Sequence, residues 1–270
     1  MTRPLTDRAS LIRNRHRAGR APVAFLHELA RAEIEDRLAM VKKSFRAAAV
    51  VGGFPRLWQG LLPDAQQVED ADTLPLDEAA HDLVVHAMAL HWANDPVGQL
   101  IRARRALRPD GLFLAVFPGG QTLHELRASL AQAEADLSGG LSPRVAPMGE
   151  VRALGALLQR AGFALPVADA VRLNASYASP IELMRELRGM GEANALADRR
   201  RQPTRRALID RACAIYRESY GAGGRIPATF ELIVLTGWAP APGQPQPLRP
   251  GSATTRLADA LGTRETPLED

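Results

Sequence analysis

Apolar positions along the chain follow two rhythms. From 22 to 46, Leu26, Ala30, Ile34, Leu38, Val41 and Phe45 recur every three or four residues, which predicts a helix with one apolar face. Residues 47–51 then form a short unbroken apolar run that stops at Gly52-Gly53, the pattern of a buried strand entering a tight turn. A short helical piece follows Pro55, and 65–68 reads as another short strand. Residues 82–90 (DLVVHAMAL) and 112–117 are nearly continuous apolar runs, as in parallel strands covered on both faces. Helical spacing returns at 96–107, at 122–137 through Leu123, Leu126, Leu130 and Ala133, and at 150–161, which Gly162 closes. Arg108-Pro109-Asp110-Gly111 reads as a turn.

Strands and helices therefore alternate through the first 165 residues, which argues for a mostly parallel sheet with helices on both faces. Two further strands are expected at 165–173 and 229–238, with helices near 180–190 and 204–219 between them. This defines a domain over 22–240 with a helical insertion at about 179–222. It follows a basic arm (1–21) and precedes a largely irregular tail (241–270), where Pro242, Pro245, Pro247 and Pro250 leave room only for a helical turn or two at 255–261.

Composition narrows the picture. The chain has 270 residues, 46% of them hydrophobic, enough for one sizeable core, and no apolar run is long enough to span a bilayer. No secretory signal is evident, and a cytoplasmic protein is expected. The arm carries Arg3, Arg8, Arg13, Arg15, Arg17 and Arg20 against Asp7; it reads as a basic, partly ordered arm, with an Arg-rich transit segment as the other reading. The single cysteine, Cys213, falls in a helical apolar stripe and reads as a buried structural thiol. The basic run at Arg199, Arg200, Arg201, Arg205 and Arg206 lacks the interleaved aromatics that stack bases, so a nucleic-acid partner is not expected. No Cys/His cluster has metal-site spacing, and there is no nucleophile elbow or P-loop.

Three segments then carry a resemblance. Asp70-Ala71-Asp72-Thr73-Leu74-Pro75 stands ahead of Asp82-Leu83-Val84, and Leu107-Arg108-Pro109-Asp110-Gly111 leads to the next strand. Together and at this spacing they resemble the S-adenosylmethionine (SAM) dependent methyltransferase superfamily. LHWANDP (90–96), GGQTLHELR (119–127), GGLSPRVAP (139–147), LRGMGEANAL (187–196) and PATFELIVLTGWAP (227–240) are similar to one subfamily, that of the mitochondrial complex I assembly factor with a methyltransferase fold. The malonyl-carrier O-methyltransferases of biotin synthesis are more distant cousins. The resemblance implies a Rossmann-like α/β fold with SAM near Gly52, Gly53, Glu69, Asp70 and Asp72, Asp70 matching the position that contacts the adenine amine.

The chain departs from that pattern in its first half. The family's first strand ends in an acid followed by spaced glycines that let backbone approach the cofactor; here it reads Ala49-Val50-Val51-Gly52-Gly53-Phe54-Pro55, with no acid and adjacent glycines. Only residues 54–81 separate Gly53 from Asp82, too few for the family's helix and two strands. A trimmed helix and a lost strand are expected, and with the strand its ribose-binding acid, for which Glu69 is the substitute candidate. Such a loss costs about 1.5–3 kcal/mol of cofactor binding.

Sites in such sheets lie at the carboxyl ends of strands. His91, Trp92, Asn94 and Asp95 follow one such end: His91 is the candidate general base, and Asp95 reads as a helix cap ahead of Pro96. Gln121 and Thr122 follow another; they suit a pocket floor, or Thr122 and Glu125 form a capping box. Arg188, Glu192 and Asn194 lie in a glycine-rich connection that is either a substrate-contacting lid or a capped helix end. Two functional readings stay open. One is a methyltransferase-like protein with an altered SAM site and an unassigned acceptor. The other is a non-methylating assembly factor, a pseudoenzyme or a protein-arginine-modifying one, with a respiratory-complex subunit as its partner.

Overall fold

The computed structural model describes residues 3–245 and 255–263. The chain divides into two units, Met1–Pro240 and Ala241–Asp270. In the second, the described residues form a turn after Ala241 and one short helix, Leu257–Leu261; Pro247 and Pro250 lie outside the described residues.

The first unit is built on six strands: β1 Ala48–Gly52, β2 Gln66–Glu69, β3 His81–Ala87, β4 Leu107–Pro118, β5 Ala164–Tyr177 and β6 Ile226–Trp238. Their spatial order is β2-β1-β3-β4-β6-β5. The first four run parallel; β6 lies antiparallel between β4 and β5. β1 is buried throughout, and β3 and β4 nearly so beyond their first residues, which explains their unbroken apolar runs. The edge strand β5 alternates half-buried and exposed residues, because only one of its faces is covered.

The helices are α1 Arg8–Ala18, α2 Phe25–Met40, α3 Pro55–Trp58, α4 Pro96–Ala106, α5 His124–Ser138, α6 Val151–Arg160, α7 Pro180–Gly189 and α8 Arg206–Tyr220. One face of the sheet, through Val50, Leu83, Val85, Leu114 and Val116, packs against Leu26 and Ile34 of α2, Leu126 and Leu130 of α5, Leu183 of α7 and Ala212 of α8. The other, through Val51, Val84, Phe113 and Ala115, packs against Leu100 and Ala103 of α4 and Leu158 of α6. Neighbouring residues along a strand serve opposite layers, as the period-two geometry demands. Cys213 is buried in α8.

The structure corrects several expectations. The arm expected to be partly ordered carries the helix α1, which Asp7 caps by accepting from the Ser10 N–H, 3.0 Å. The expected 22–46 helix spans Phe25–Met40, although Leu38, Val41 and Phe45 still pack on the core. The expected turn at 108–111 is absorbed into β4 as an irregularity with Asp110 at φ 60°. The first helix is trimmed to the four residues of α3, yet the strand beside β1 survives as β2 and ends in Glu69. What is missing is the further strand, since no strand lies between Glu69 and His81 among the described residues.

Thr122 and Glu125 form no capping box, because Leu123 is the residue that precedes α5, in the left-handed region at φ 55°. Instead both reach across to β6. The buried Glu125 carboxylate accepts from the Thr229 hydroxyl at 2.6 Å and its N–H at 3.1 Å, and the Thr122 hydroxyl donates to the Glu231 carbonyl, 3.1 Å. Gly120 sits at φ 51° against the Glu231 carboxylate, where a Cβ would collide. Replacing Thr229 by Val leaves a buried carboxylate short of its shortest donor. The expected cost is about 1.5–3 kcal/mol, read as a lower urea midpoint at unchanged slope.

Candidate functional site

Two cavities open at the carboxyl ends of the parallel strands. The first follows β3 and β4. After Ala87 the chain passes through Met88, held at φ 51° with its N–H on the Val116 carbonyl (2.8 Å), into a single 3-10 turn, Leu90–Trp92. That turn lifts His91 off the strand to the wall of a cavity of about 400 Å³. From the other side α7 ends and Gly191 turns at φ 79°, which delivers Glu192. The Glu192 carboxylate lies 3.0 Å from His91 Nε2 and accepts from Trp92 Nε1 at 2.7 Å. Burial pushes the Glu192 carboxyl up, but His91 and Arg15 together with the hydrogen bonds from His91 and Trp92 outweigh it and hold it below its ordinary value. With Nε2 facing a carboxylate, His91 Nδ1 is left buried and without a partner. A His–carboxylate pair of this kind can accept a hydrogen bond or a proton from a bound group.

His91, Trp92, Thr122, Arg188, Glu192 and Asn194 all line this cavity. Its other walls are largely apolar, including Leu126, Met184 and Phe230, and Arg144, Arg199 and Arg200 add positive charge. Asn194 is also structural, donating to the Pro143 carbonyl (2.9 Å) and accepting from the Leu196 N–H (3.0 Å). Two of the other residues named from the sequence do not reach the cavity. The Gln121 N–H is spent on the Glu231 carboxylate, 3.0 Å, and Asn94 pins the chain ahead of α1, accepting from the Thr6 N–H at 2.8 Å and donating to Asp72 at 3.1 Å. Asp95 caps α4 through the Gly98 N–H, 2.8 Å.

The second cavity, about 470 Å³, lies beyond β1 and β2 and is lined by Gly53, Glu69 and Asp70, with α1 across it. Here the sequence reading missed the decisive residues. Arg15 lays its guanidinium over Gly53, so close that a Cβ there would collide, and its Nη1 donates to Asp70 at 2.7 Å. Arg8 Nη1 donates to the same carboxylate oxygen at 3.3 Å, and Arg8 Nη2 to the Asp70 carbonyl. The Asp70 side chain is fully buried; desolvation pushes its carboxyl up, but Arg15 and Arg8 more than offset this and hold it low. Trp58 fills the space over Gly52, 2.8 Å from where a Cβ would sit, and the His27 ring packs against Phe54 and Trp58. Burial holds His27 down to about 4, so it is neutral at pH 7.

The helix is tied down all along its length. Asp7 donates its N–H to Ala195 (2.8 Å) and pairs with Arg199 (2.9 Å), and Asn14 bonds the Ala193 carbonyl (3.0 Å). The signal was present: Asp7 three before Ser10 is capping spacing, and Leu11, Arg15 and Ala18 share a helical face.

Comparison with known proteins adds the family. Residues 55–115 match the model of a methyltransferase domain. The chain is 39% identical over 199 residues to the mitochondrial arginine-hydroxylase NDUFAF5 of Danio rerio, covering 73% of this chain and 62% of that one, and 36% identical to its Homo sapiens counterpart, covering 81% and 64%. It is 35% identical over 171 residues to the malonyl-[acyl-carrier protein] O-methyltransferase of Xylella fastidiosa, covering 63% and 56%. In sequence and fold the chain is similar to the SAM-dependent methyltransferase superfamily. It spans less than two thirds of the length of each of these relatives. A crystal structure of a candidate methyltransferase from Bacillus halodurans shares the fold at a TM-score of 0.50 and 14% identity, covering 77% of this chain and 98% of that one.

The chain is thus a methyltransferase-like protein with an altered cofactor end. That end does not fit a sulfonium cofactor well: Asp70 is neutralised by two arginines, Trp58 and Arg15 occupy the space above both glycines, and the surrounding charge is positive. Among the described residues no three metal-ligating side chains gather, and no helix is long and apolar enough to cross a membrane.

Asp70→Asn leaves two arginines without their buried counter-charge; a loss of about 3–5 kcal/mol is expected in denaturant unfolding. Asp7, ordinarily near 3.8, is held down to about 2, chiefly by the Ser10 N–H and then by Arg199, and Asp70 is also lowered. Both folded values lie below the unfolded ones, so their stabilisation is present above the ordinary carboxylate range and is lost as pH falls through the folded values. Hydrogen exchange of residues 8–18 is expected to accelerate between about pH 4 and pH 2, beyond the intrinsic pH effect, while β3 and β4 stay protected.

Proposed function

We propose that this methyltransferase-like protein does not transfer methyl groups but binds a protein partner at the His91 cavity, in the cytoplasm. The observation that carries this reading is the Arg15–Asp70 pair, which with α1 takes the space and the carboxylate that the fold would give to SAM. A protein partner is supported by the relative named malonyl-[acyl-carrier protein] O-methyltransferase, while NDUFAF5 is named an arginine-hydroxylase. The family resemblance makes a respiratory-complex subunit the partner to test. The cavity's own charge indicates what part of it binds. Arg188 and Arg200 stand at its apolar walls without an ion-pair partner among the described residues, whereas Arg144 and Arg199 are paired with Glu134 and Asp7, so a segment carrying apolar side chains and an acid fits. The proposal therefore stops at binding and assigns no arginine chemistry to this chain.

Calorimetry with SAM and S-adenosylhomocysteine tests the negative half. No saturable heat is expected up to about millimolar ligand, a binding free energy weaker than about −4 kcal/mol. A micromolar dissociation constant that Asp70→Ala abolishes would restore the methyltransferase reading. The positive half is tested with a purified respiratory subunit: Arg188→Glu, an exposed reversal on the cavity rim, is expected to weaken its binding by about tenfold or more.

A further inference from the structure

The polar groups at the head of the His91 cavity are almost closed off. The His91 side chain is 4% exposed and that of Glu192 11%, with Trp92 buried beside them. A bound group reaches them only if a wall of the cavity moves. Most walls are helices and strand ends packed into the core, on α2, α5, α7, α8 and β6. The connection after Glu192 is tied down by Asp7, Asn14 and the Leu5 carbonyl.

The remaining wall is the strap that joins α5 to α6, residues 139–150, which contains neither helix nor strand. Connections of that length without regular structure are uncommon, and many cover sites. This one supplies Arg144, Val145, Ala146 and Met148 to the cavity, and Ala146 and Met148 pack in one cluster with Trp92. Pro143 and Pro147 have no N–H to give, and no backbone–backbone hydrogen bond holds 141–148 among the described residues. Val145 rests on the main core only half-buried, and Leu141 is 72% exposed. A segment with so few backbone bonds and so little apolar packing opens at low cost.

One buried carboxylate does most of the holding. Glu134, in the last turns of α5, accepts from the Ser142 N–H at 2.9 Å, from its hydroxyl at 2.7 Å, and from Arg144 Nη2 and Nε at 2.9 and 3.2 Å. The other ties are single bonds: Asn194 donates to the Pro143 carbonyl at 2.9 Å, and Arg144 Nη1 to the Thr204 hydroxyl at 3.1 Å. Burial pushes the Glu134 carboxyl up, but the bonds from Arg144 and Ser142 outweigh it and hold it down to about 2, so this latch is charged at pH 7. At the near end of the strap Gly139 takes φ 62°, and a Cβ on Gly139 or Gly140 would meet nothing within 4 Å, which leaves the backbone room to rotate there.

We propose that residues 141–148 are a hinged strap over the His91 cavity, latched by Glu134 on Ser142 and Arg144, whose release admits a partner's side chain to His91 and Glu192. The strap's role as a gate rests on the proposed function; its opening does not.

The test is labelling of the full chain at pH 7 with diethyl pyrocarbonate, which modifies accessible imidazoles, followed residue by residue by peptide mass. The exposed His16 and the buried His86 serve as references. Variants are Glu134→Gln and Ser142→Ala, and melting temperatures confirm that both fold. In the native chain His91 is expected to react about tenfold or more slowly than His16. Glu134→Gln is expected to speed His91 by about tenfold, and Ser142→Ala by less, with His16 and His86 unchanged. His91 reacting as fast as His16 in the native chain, or at its native rate in both variants, would overturn the proposal. If Glu134→Gln speeds His86 as well, the helix has loosened generally, and Ser142→Ala, which keeps the carboxylate, decides alone. The readout needs no partner. Failure of a respiratory subunit to bind therefore sinks the proposed function and leaves the strap standing, and an unlatched His91 that never accelerates sinks the strap alone.

Discussion

The buried carboxylate of Asp70 is the group on which the arrangement of the cofactor end depends. It lies at the carboxyl end of the sheet, fully enclosed, and a charge there is tolerable only with counter-charges in contact. Arg8 and Arg15 supply them, and both belong to α1. The pairing therefore fixes where α1 lies. α1 in turn is stitched to residues 193–199 through Asp7, Asn14 and Arg199. That stretch follows directly on Gly191 and Glu192, so one buried charge links the emptied cofactor end to the His91 cavity.

The two cavities differ in how the chain builds them. The His91 cavity is made by elements that the methyltransferase fold already contains: the strand ends of β3 and β4, the start of α5, and the connection after α7. Its polar groups converge because Met88 and Gly191, both with positive φ, turn the backbone sharply at the two points where a side chain has to be delivered. The second cavity arises from shortening. With α3 reduced to four residues and no strand between Glu69 and His81, the space beyond β1 and β2 has lost the elements that would cover it, and α1 covers it instead. Adjacent glycines suit this arrangement, because a Cβ on Gly53 would meet the Arg15 guanidinium and one on Gly52 would meet Trp58.

This coupling also explains why the sheet tolerates so much change at one end. β3 and β4 are held between two apolar layers, to which the shortened segment adds Trp58 and Leu61 on one side and Val68, Leu74 and Leu76 on the other, and β6 is pinned to α5 by the Glu125–Thr229 bonds, which do not involve that segment. The core is thus anchored in its middle and far side, and the first β-α-β portion is free to carry a different arrangement of charge.

The sequence by itself determined the fold class, the order of its helices and strands and the location of the trimmed region. Apolar periodicity depends on neighbours a few residues apart, and that information is local. It likewise singled out His91, Trp92 and Thr122, because residues at strand ends in such sheets face one side, and Arg188, Glu192 and Asn194, because they crowd polar groups into a glycine-rich connection after a helix. Tertiary structure alone decided which charges meet. Arg15 and Asp70 are 55 positions apart, His91 and Glu192 are 101 apart, and Glu125 reaches Thr229 across 104. Local spacing carries a signal that the arginine-rich arm is helical, but nothing in it says that the helix will be buried rather than solvated, that Thr122 and Glu125 will bond to β6 rather than cap α5, or that Gln121 and Asn94 will turn away from the cavity. Those outcomes depend on which buried polar groups find partners once the chain has closed, and that balance is set by three-dimensional proximity, not by sequence distance.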